Sequence, residues 1–280
     1  MDTQLSPALV RALEKMPAFP DSVQRILAMT RDMQCAPKDL VAVIENDPLM
    51  AARVLRVVNA AYYGLGQKLT SIGHAVVYLG LNTIKNIALS VAAIGVLPHF
   101  KVGRFDSQAY LTHSLASAAI ARQFAVRLGH AEPMDAFIAA LLHDLGKVVL
   151  ALHMEPELQR ALEHSQWHGV PLHQALRATL GFDHAHIGAE LLQRWQFSPA
   201  IVHTVRCQCG DPEPDTVLAA CVFAANQISK RHSLGDASTG AELPLPARAR
   251  QLLGADLDTL DAQLGDVRTL CAQVQVYARG

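Results

Sequence analysis

A histidine followed directly by an aspartate, in Leu141-Leu-His-Asp-Leu-Gly-Lys147, is the strongest chemical signal in this 280-residue sequence. Imidazole nitrogen and carboxylate oxygen together suit a divalent metal ion. Neighbouring helical residues point about 100° apart, so His143 and Asp144 can reach one ion only near a helix end or kink. Gly146 is predicted to supply that end. Lys147 would then either meet a phosphate group or pair with an acid.

Two further histidines, far away along the chain, are candidate ligands. His113 lies within a long predicted helix, Asp106–Leu128, and His184 opens another, His184–Trp195. Because the candidates come from separate helices, only the fold can bring them together. Two interpretations are open. The residues form a metal site, or they form a hydrogen-bonded polar cluster without metal that holds the helices in register.

A second group of metal-ligating residue types, histidine and cysteine, gives a weaker signal for a metal site. His203 and Cys207 share a helix face, and Cys209 follows. The C-x-x-C spacing of common zinc sites is missing, so we expect no zinc site there. The five cysteines are an odd and low number for this length, which predicts no disulfide framework.

The elements that must position these residues are predicted to be helices. Hydrophobic residues make up 51% of the chain and aromatic residues only 5%, and the apolar residues recur at three- and four-residue spacing. We predict an all-α, two-lobed protein. Its N-terminal helical lobe spans 1–104, a second helical lobe spans 105–232, and 233–280 form a linker and C-terminal helices. These last helices, including an amphipathic stretch over Leu257–Val276, should pack on one of the lobes.

The net charge of −1 argues against a nucleic-acid binder that works by bulk charge. The total nevertheless conceals a cationic stretch. Residues 48–105 contain no Asp or Glu and carry six cations, namely Arg53, Arg56, Lys68, Lys85, Lys101 and Arg104. These side chains are either solvated or paired with carboxylates of the other lobe, or they face an anionic ligand or acidic partner.

Neither a signal peptide nor a membrane span is predicted. The first sixteen residues carry charge where a signal peptide needs an apolar core. The apolar run 87–97 is shorter than the ~20 residues that a spanning helix requires. We therefore expect a cytoplasmic protein without a membrane partner.

Several segments, in the right order, resemble the HDOD family of the HD superfamily, which is related to the HD-GYP phosphodiesterases. The resemblance covers about residues 16–230 and rests on Met16–Pro20, Asp47–Gly64, Ser71–Gly80, His113-Ser, His143-Asp144 and His184-x-x-Ile-Gly-Ala. It implies an HD-like second lobe and the metal ligands His113, His143, Asp144 and His184. HDOD proteins are associated with bacterial signal transduction, some of them in cyclic-di-nucleotide pathways.

The sequence also departs from the family pattern. The paired histidines that usually follow fall on Gln208 and Cys209, and the last aspartate ligand falls on Asn226. The glycine-tyrosine-proline signature is absent. The resemblance therefore implies a degenerate, vestigial metal site with no catalytic residue. A divalent metal, if bound at all, would be held weakly. The ligands that a site for two metal ions needs are replaced.

Our leading hypothesis is a non-catalytic regulatory module that binds a signalling protein or a small anionic ligand. The residues assigned to partner binding are Arg53, Arg56, Asn59, Lys68 and Lys85, although Asn59 could instead cap a helix. The alternative is a metal-dependent phosphohydrolase acting on phosphodiesters or nucleotides, with Lys147 steering the phosphate. A third hypothesis is that the protein is a purely structural scaffold for an assembly.

Overall fold

The first part of the chain folds into short helices, as seen in a computed structural model that describes residues 6–29, 36–130, 132–235 and 242–278. Two of the helix starts carry the local signals expected for them. Asp47 caps one helix by accepting a hydrogen bond from the Met50 amide, with Pro48 at the first helical position, and Ser71 caps another through the His74 amide. The helices are α1 (Pro7–Glu14), α2 (Asp21–Met29), α3 (Pro37–Glu45), α4 (Pro48–Val58), α5 (Ile72–Leu79) and α6 (Leu81–Gly95).

The second part begins with a two-residue antiparallel strand pair, β1 (Lys101–Val102) and β2 (Phe105–Asp106), which is the only sheet among the described residues. The prediction of an all-α protein is therefore confirmed. The helices that follow are α7 (Ser107–Arg127), α8 (Pro133–Leu142), α9 (Leu145–His153), α10 (Glu155–His168), α11 (Leu172–Leu180), α12 (His184–Arg194), α13 (Pro199–Arg206) and α14 (Val217–Arg231).

Helix α7 forms the centre of the second part, packed against α8 and α14. Its buried residues include a run of small side chains from Ala116 to Ala119, and those of α8 include Ala136, Ala139 and Ala140. Small residues let the two helix axes approach closely. Since α7 is buried on nearly every side, it needs no polar face, and its sequence shows little amphipathic character.

The C-terminal part contains α15 (Ala247–Leu253), α16 (Leu257–Leu264) and α17 (Val267–Val274). The amphipathic stretch Leu257–Val276 forms two helices, because Gly265 adopts a φ of +73° and Asp266 caps a new helix. The C-terminal helices pack mainly on the second lobe, with α15 and α16 against α14. Helix α17 lies against α7, whereas the Tyr277 hydroxyl lies 2.6 Å from that of Tyr63 in the N-terminal part.

One segment, Pro133–His153, is long and apolar enough by length and composition to cross a membrane. It was not singled out from the sequence. In the structure 89% of its most apolar window is buried inside the protein, and the segment comprises α8 and α9 with a break between them. Its apolar character is accounted for by its position in the core.

Candidate metal centre

The break between α8 and α9 places His143 and Asp144 side by side. Helix α8 ends at Leu142 and α9 begins at Leu145, so the predicted kink is present. The role predicted for Gly146 is wrong, because it lies inside α9. A β-carbon on Gly146 would lie 1.9 Å from the backbone oxygen of His184. Glycine is needed there because α9 packs directly on the first turn of α12, and this contact brings His184 to the site.

The Asp144 carboxylate is the centre of the cluster. Its Oδ2 lies 3.7 Å from His113 Nε2 and 3.3 Å from His143 Nε2. The same oxygen lies 2.5 Å from the ammonium nitrogen of Lys147. The other oxygen, Oδ1, lies 3.3 Å from His184 Nε2. The fold therefore brings together all four residues predicted as ligands, and Lys147 with them.

The three residues at the degenerate positions also reach this cluster. Gln208 Nε2 donates to Asp144 Oδ1 at 3.3 Å and to the His143 carbonyl oxygen at 3.1 Å. Asn226 Nδ2 donates to Gln208 Oε1 at 3.0 Å. Cys209 Sγ lies 3.5 Å from His184 Nε2. On this side of Asp144 the Gln208 amide nitrogen donates to the carboxylate, while the Asn226 side-chain oxygen is buried without a hydrogen-bond partner.

Two histidine rings are oriented by contacts through their Nδ1 atoms. His143 Nδ1 lies 2.6 Å from the Ala140 carbonyl oxygen, and His113 Nδ1 lies 3.0 Å from Ser229 Oγ. Both Nε2 atoms are buried without a hydrogen-bond partner. Ser229 was missed by the sequence analysis. The available signal was its position one turn after Asn226 on α14, which places both residues on the same helix face.

The cluster is closed to solvent. The relative exposure of His143 is 0%, that of Asp144 is 1%, and His113 and Lys147 are each at 2%. Burial lowers the pKa of His113 to about 3 and also lowers the pKa of His184. Burial alone would raise the pKa of Asp144, but the neighbouring His143 and Lys147 charges outweigh it and hold that pKa well below its usual range.

The HD superfamily implies a divalent metal, and the residues fit one ion but not two. His113 Nε2, His143 Nε2 and an Asp144 oxygen lie within 4.8 Å of one another, and both nitrogens lack partners. These three residues would hold a single ion, which would supply a Lewis acid. On the Gln208 side of Asp144, a second ion would meet only the neutral amide groups of Gln208 and Asn226, and neither supplies the negative charge of a carboxylate ligand.

The residues assigned to partner binding lie apart from this cluster. Arg56 and Lys68 are exposed, whereas Arg53 and Lys85 are half-buried. The Arg53 guanidinium lies over Gly95 and lines a cavity of about 210 Å³ with α4 and α6 residues.

The junction between α6 and α8 is polar but contains few ion pairs. Asn82 Nδ2 donates to Glu132 Oε1 at 2.7 Å, and Lys85 donates to Asn82 Oδ1 at 2.7 Å. Asn86 donates to Asp135. Carboxylates at this junction are thus bound mainly by asparagine amides. Among the six cations of the stretch, Lys101 pairs with the adjacent Asp106.

Asn59 is engaged inside the fold. Its side-chain nitrogen donates to the carbonyl oxygens of Leu55 and Leu69, each at 2.8 Å, and its oxygen accepts from the Leu69 amide at 2.7 Å. It therefore ends α4 and fixes the loop that follows, as the helix-cap alternative predicts.

Comparison with known proteins supports the family resemblance. The model of the HDOD domain family matches residues 16–210. An uncharacterised protein of Treponema pallidum is 28% identical over 211 residues, which cover 73% of this chain and 39% of that protein. The chain therefore spans about two fifths of that relative's length.

Two solved structures share the fold over almost their full length. An HDOD domain protein of unknown function from Geobacter sulfurreducens has a TM-score of 0.78 at 24% identity, covering 96% of this chain and 98% of its own. A putative phosphohydrolase from Shewanella amazonensis has a TM-score of 0.73 at 25% identity, covering 97% of this chain and 98% of its own. With these folds and the matching family model, the chain belongs to the HDOD family.

Proposed function

We propose that this protein is a non-catalytic signalling module that binds an acidic protein partner or a small anionic ligand. One observation carries the proposal. Asp144, the carboxylate on which a hydrolytic metal would depend, is bound by the Lys147 ammonium and the Gln208 amide. The cluster around it is buried, with no member more than 7% exposed.

Hydrolysis of a phosphodiester requires a metal-bound water of lowered pKa and a path for the substrate to reach it. Here one ion at most fits, and Lys147 competes with it for the same Asp144 oxygen. The cluster instead joins α7, α9 and α14 through contacts among buried polar groups, which fixes the relative positions of the helices. The role of the cluster is then to hold the helices in place, and binding takes place on the protein surface.

The cationic stretch 48–105 is the surface that we assign to binding. It carries six cations and no acidic residue. It also carries exposed apolar side chains, with Leu49 at 62%, Val77 at 81% and Tyr78 at 57% exposure. Exposed large apolar side chains are a common mark of interaction surfaces. A partner with acidic and apolar side chains would complement this surface.

A mononuclear phosphohydrolase is the second candidate, and the unpartnered Nε2 atoms of His113 and His143 favour it. In that case Lys147 would release Asp144 to the ion and contact the substrate phosphate. A solved structure similar to this chain is described as a putative phosphohydrolase. Its substrates would be phosphodiesters or nucleotides.

An activity assay separates the two candidates. The purified protein, supplied in turn with Mg²⁺, Mn²⁺ and Fe²⁺, is incubated with a cyclic di-nucleotide, a short RNA and a simple phosphodiester. We expect no turnover above the buffer control. Hydrolysis by the unmodified protein that is lost in Asp144→Ala would overturn the proposal and establish the phosphohydrolase.

The binding role is tested with two fluorescent probes, a cyclic di-nucleotide and a peptide rich in Asp, Glu and Leu. We expect one of them to bind in a salt-dependent way. The double variant Arg56→Glu/Lys68→Glu should weaken binding at least about tenfold. The matched control Arg11→Glu/Lys15→Glu makes the same charge change at exposed sites on α1 and at its C-cap and should bind normally. Equal weakening by both variants would show that the stretch is not the binding surface.

A further inference from the structure

A second cluster of metal-ligating residues lies outside the histidine-aspartate cluster. His203, Cys207 and Asp215 each offer one ligand atom, and these atoms lie within 4.8 Å of one another. His203 Nε2 is 2.6 Å from Asp215 Oδ1 and 3.6 Å from Cys207 Sγ. One nitrogen, one sulfur and one oxygen donor therefore lie close enough together to bind the same ion.

The local structure explains why these residues meet. His203 and Cys207 are four residues apart, at the last turn and the C-cap of α13, so they lie on the same side of the helix. Asp215 directly precedes Thr216, the N-cap of α14. The loop 208–216 folds back on α13 and brings this carboxylate to the histidine ring.

The spacing of the donors suits tetrahedral zinc. With Zn–S of about 2.3 Å and Zn–N of about 2.0–2.1 Å, tetrahedral angles require an S···N separation of roughly 3.6 Å. The Cys207 Sγ to His203 Nε2 distance is 3.6 Å. Two zinc ligands, one nitrogen and one oxygen, should be roughly 3.4 Å apart. Asp215 Oδ1 is only 2.6 Å from His203 Nε2, so these two atoms would have to separate. The Asp215 side chain is 59% exposed, so it can move outward when an ion replaces the hydrogen bond.

The electrostatic setting also favours a cation. The site is at the C-terminal end of α13, where the helix dipole is negative, and Asp215 adds a full negative charge. Burial raises the pKa of the metal-free Cys207 thiol to about 11. A coordinated zinc ion supplies the charge that deprotonates its thiol ligand.

We propose that His203, Cys207 and Asp215 bind one Zn²⁺ ion, with the fourth position taken by water. The ion joins the end of α13 to the loop 208–216. That loop begins with Gln208 and Cys209, which reach the Asp144 cluster. Zinc binding thus holds in place the segment that closes one side of that cluster. The proposal does not depend on whether the protein is catalytic.

Cobalt provides a test that reports the ligand type. The 280-residue, chelator-treated protein is titrated with Co²⁺, and thiolate coordination is followed by its near-ultraviolet charge-transfer absorption. We expect this band to saturate at one equivalent and to disappear on addition of Zn²⁺. Cys207→Ser should abolish the band. Cys209→Ser is the matched control, since Cys209 is also buried beside a histidine, His184, and it should retain the band.

Two surface variants complete the test without disturbing the core. His203→Gln and Asp215→Asn should each weaken Zn²⁺ binding by about 10–100-fold or more, because loss of even an outer partner of a ligand costs that much. Circular dichroism verifies that each variant is folded. Absence of the charge-transfer band in the unmodified protein would overturn the proposal. So would a band that is lost in Cys209→Ser and kept in Cys207→Ser, because the metal would then lie at the Asp144 cluster.

Discussion

Lys147 Nζ lies 2.5 Å from Asp144 Oδ2, and neither residue is more than 2% exposed. The same carboxylate oxygen is the one that faces His113 and His143. The Lys147 ammonium therefore pairs with the Asp144 oxygen that a metal ion held by His113 and His143 would need as its negatively charged ligand. This pair decides whether the cluster acts as a framework or as a metal site.

Removing one member of the pair should be costly. Lys147→Met leaves the Asp144 carboxylate buried without its cation, and we expect a loss of about 3–5 kcal/mol in the free energy of unfolding. The double variant Lys147→Met/Asp144→Asn removes the uncompensated charge and should recover part of the loss. Urea denaturation of metal-free protein measures both. A double variant as unstable as the sum of both single variants would show that the two residues are not energetically coupled.

Restoring the family's ligands should strengthen metal binding. The triple variant Gln208→His/Cys209→His/Asn226→Asp replaces the amide and thiol groups by two imidazoles and a carboxylate. We expect the affinity for Mn²⁺ to rise at least about tenfold, by analogy with the losses caused by removing supporting ligand contacts. Isothermal titration calorimetry provides the comparison. Unchanged affinity would mean that these positions do not limit metal binding.

Gly146 should tolerate no side chain. In Gly146→Ala the new methyl group would lie 1.9 Å from the His184 carbonyl oxygen, so α9 and α12 would have to separate. We expect a loss of about 3 kcal/mol or more, at the upper end of overpacking effects. Gly73→Ala is the control, because its added methyl group meets nothing within 4 Å and alanine favours the helix by roughly 0.5–1 kcal/mol. Similar thermal shifts for the two variants would contradict this packing argument.

Stability of the metal-free protein should fall as the pH falls below about 6.5. Burial lowers the pKa of His113 from 6.5 to about 3 in the folded state and that of His173 to about 4. The unfolded chain therefore binds more protons between these values, and the contribution of the neutral rings is complete above pH 6.5 and lost on acidification. His113 alone adds a slope of up to about 1.4 kcal/mol per pH unit. Urea denaturation between pH 7.5 and 4.5 should give a shallower slope for His113→Gln than for the unmodified protein. Stability that stays constant over this range would contradict the assignment.

Local signals in the sequence predicted much of the secondary structure. Asp47-Pro48 begins α4, the helix predicted over Asp106–Leu128 is α7, and His184 begins α12, because caps and apolar spacing act over only a few residues. The sequence also identified most of the residues of the candidate metal site. The chemistry of His143-Asp144 and the family's motif order were enough to select the residues that the fold brings together.

The tertiary structure alone decided how those residues interact. It placed Lys147 on Asp144 rather than toward solvent, and Asn59 on the backbone of its own loop. It brought Asp215 to His203 and Tyr277 to Tyr63. The Lys147 and Asn59 contacts are local in sequence, but Tyr277 with Tyr63, and His113 or Gln208 with Asp144, join distant segments whose separation depends on how whole helices pack. Sequence spacing determines which face of a helix a residue occupies, but not which distant group meets that face.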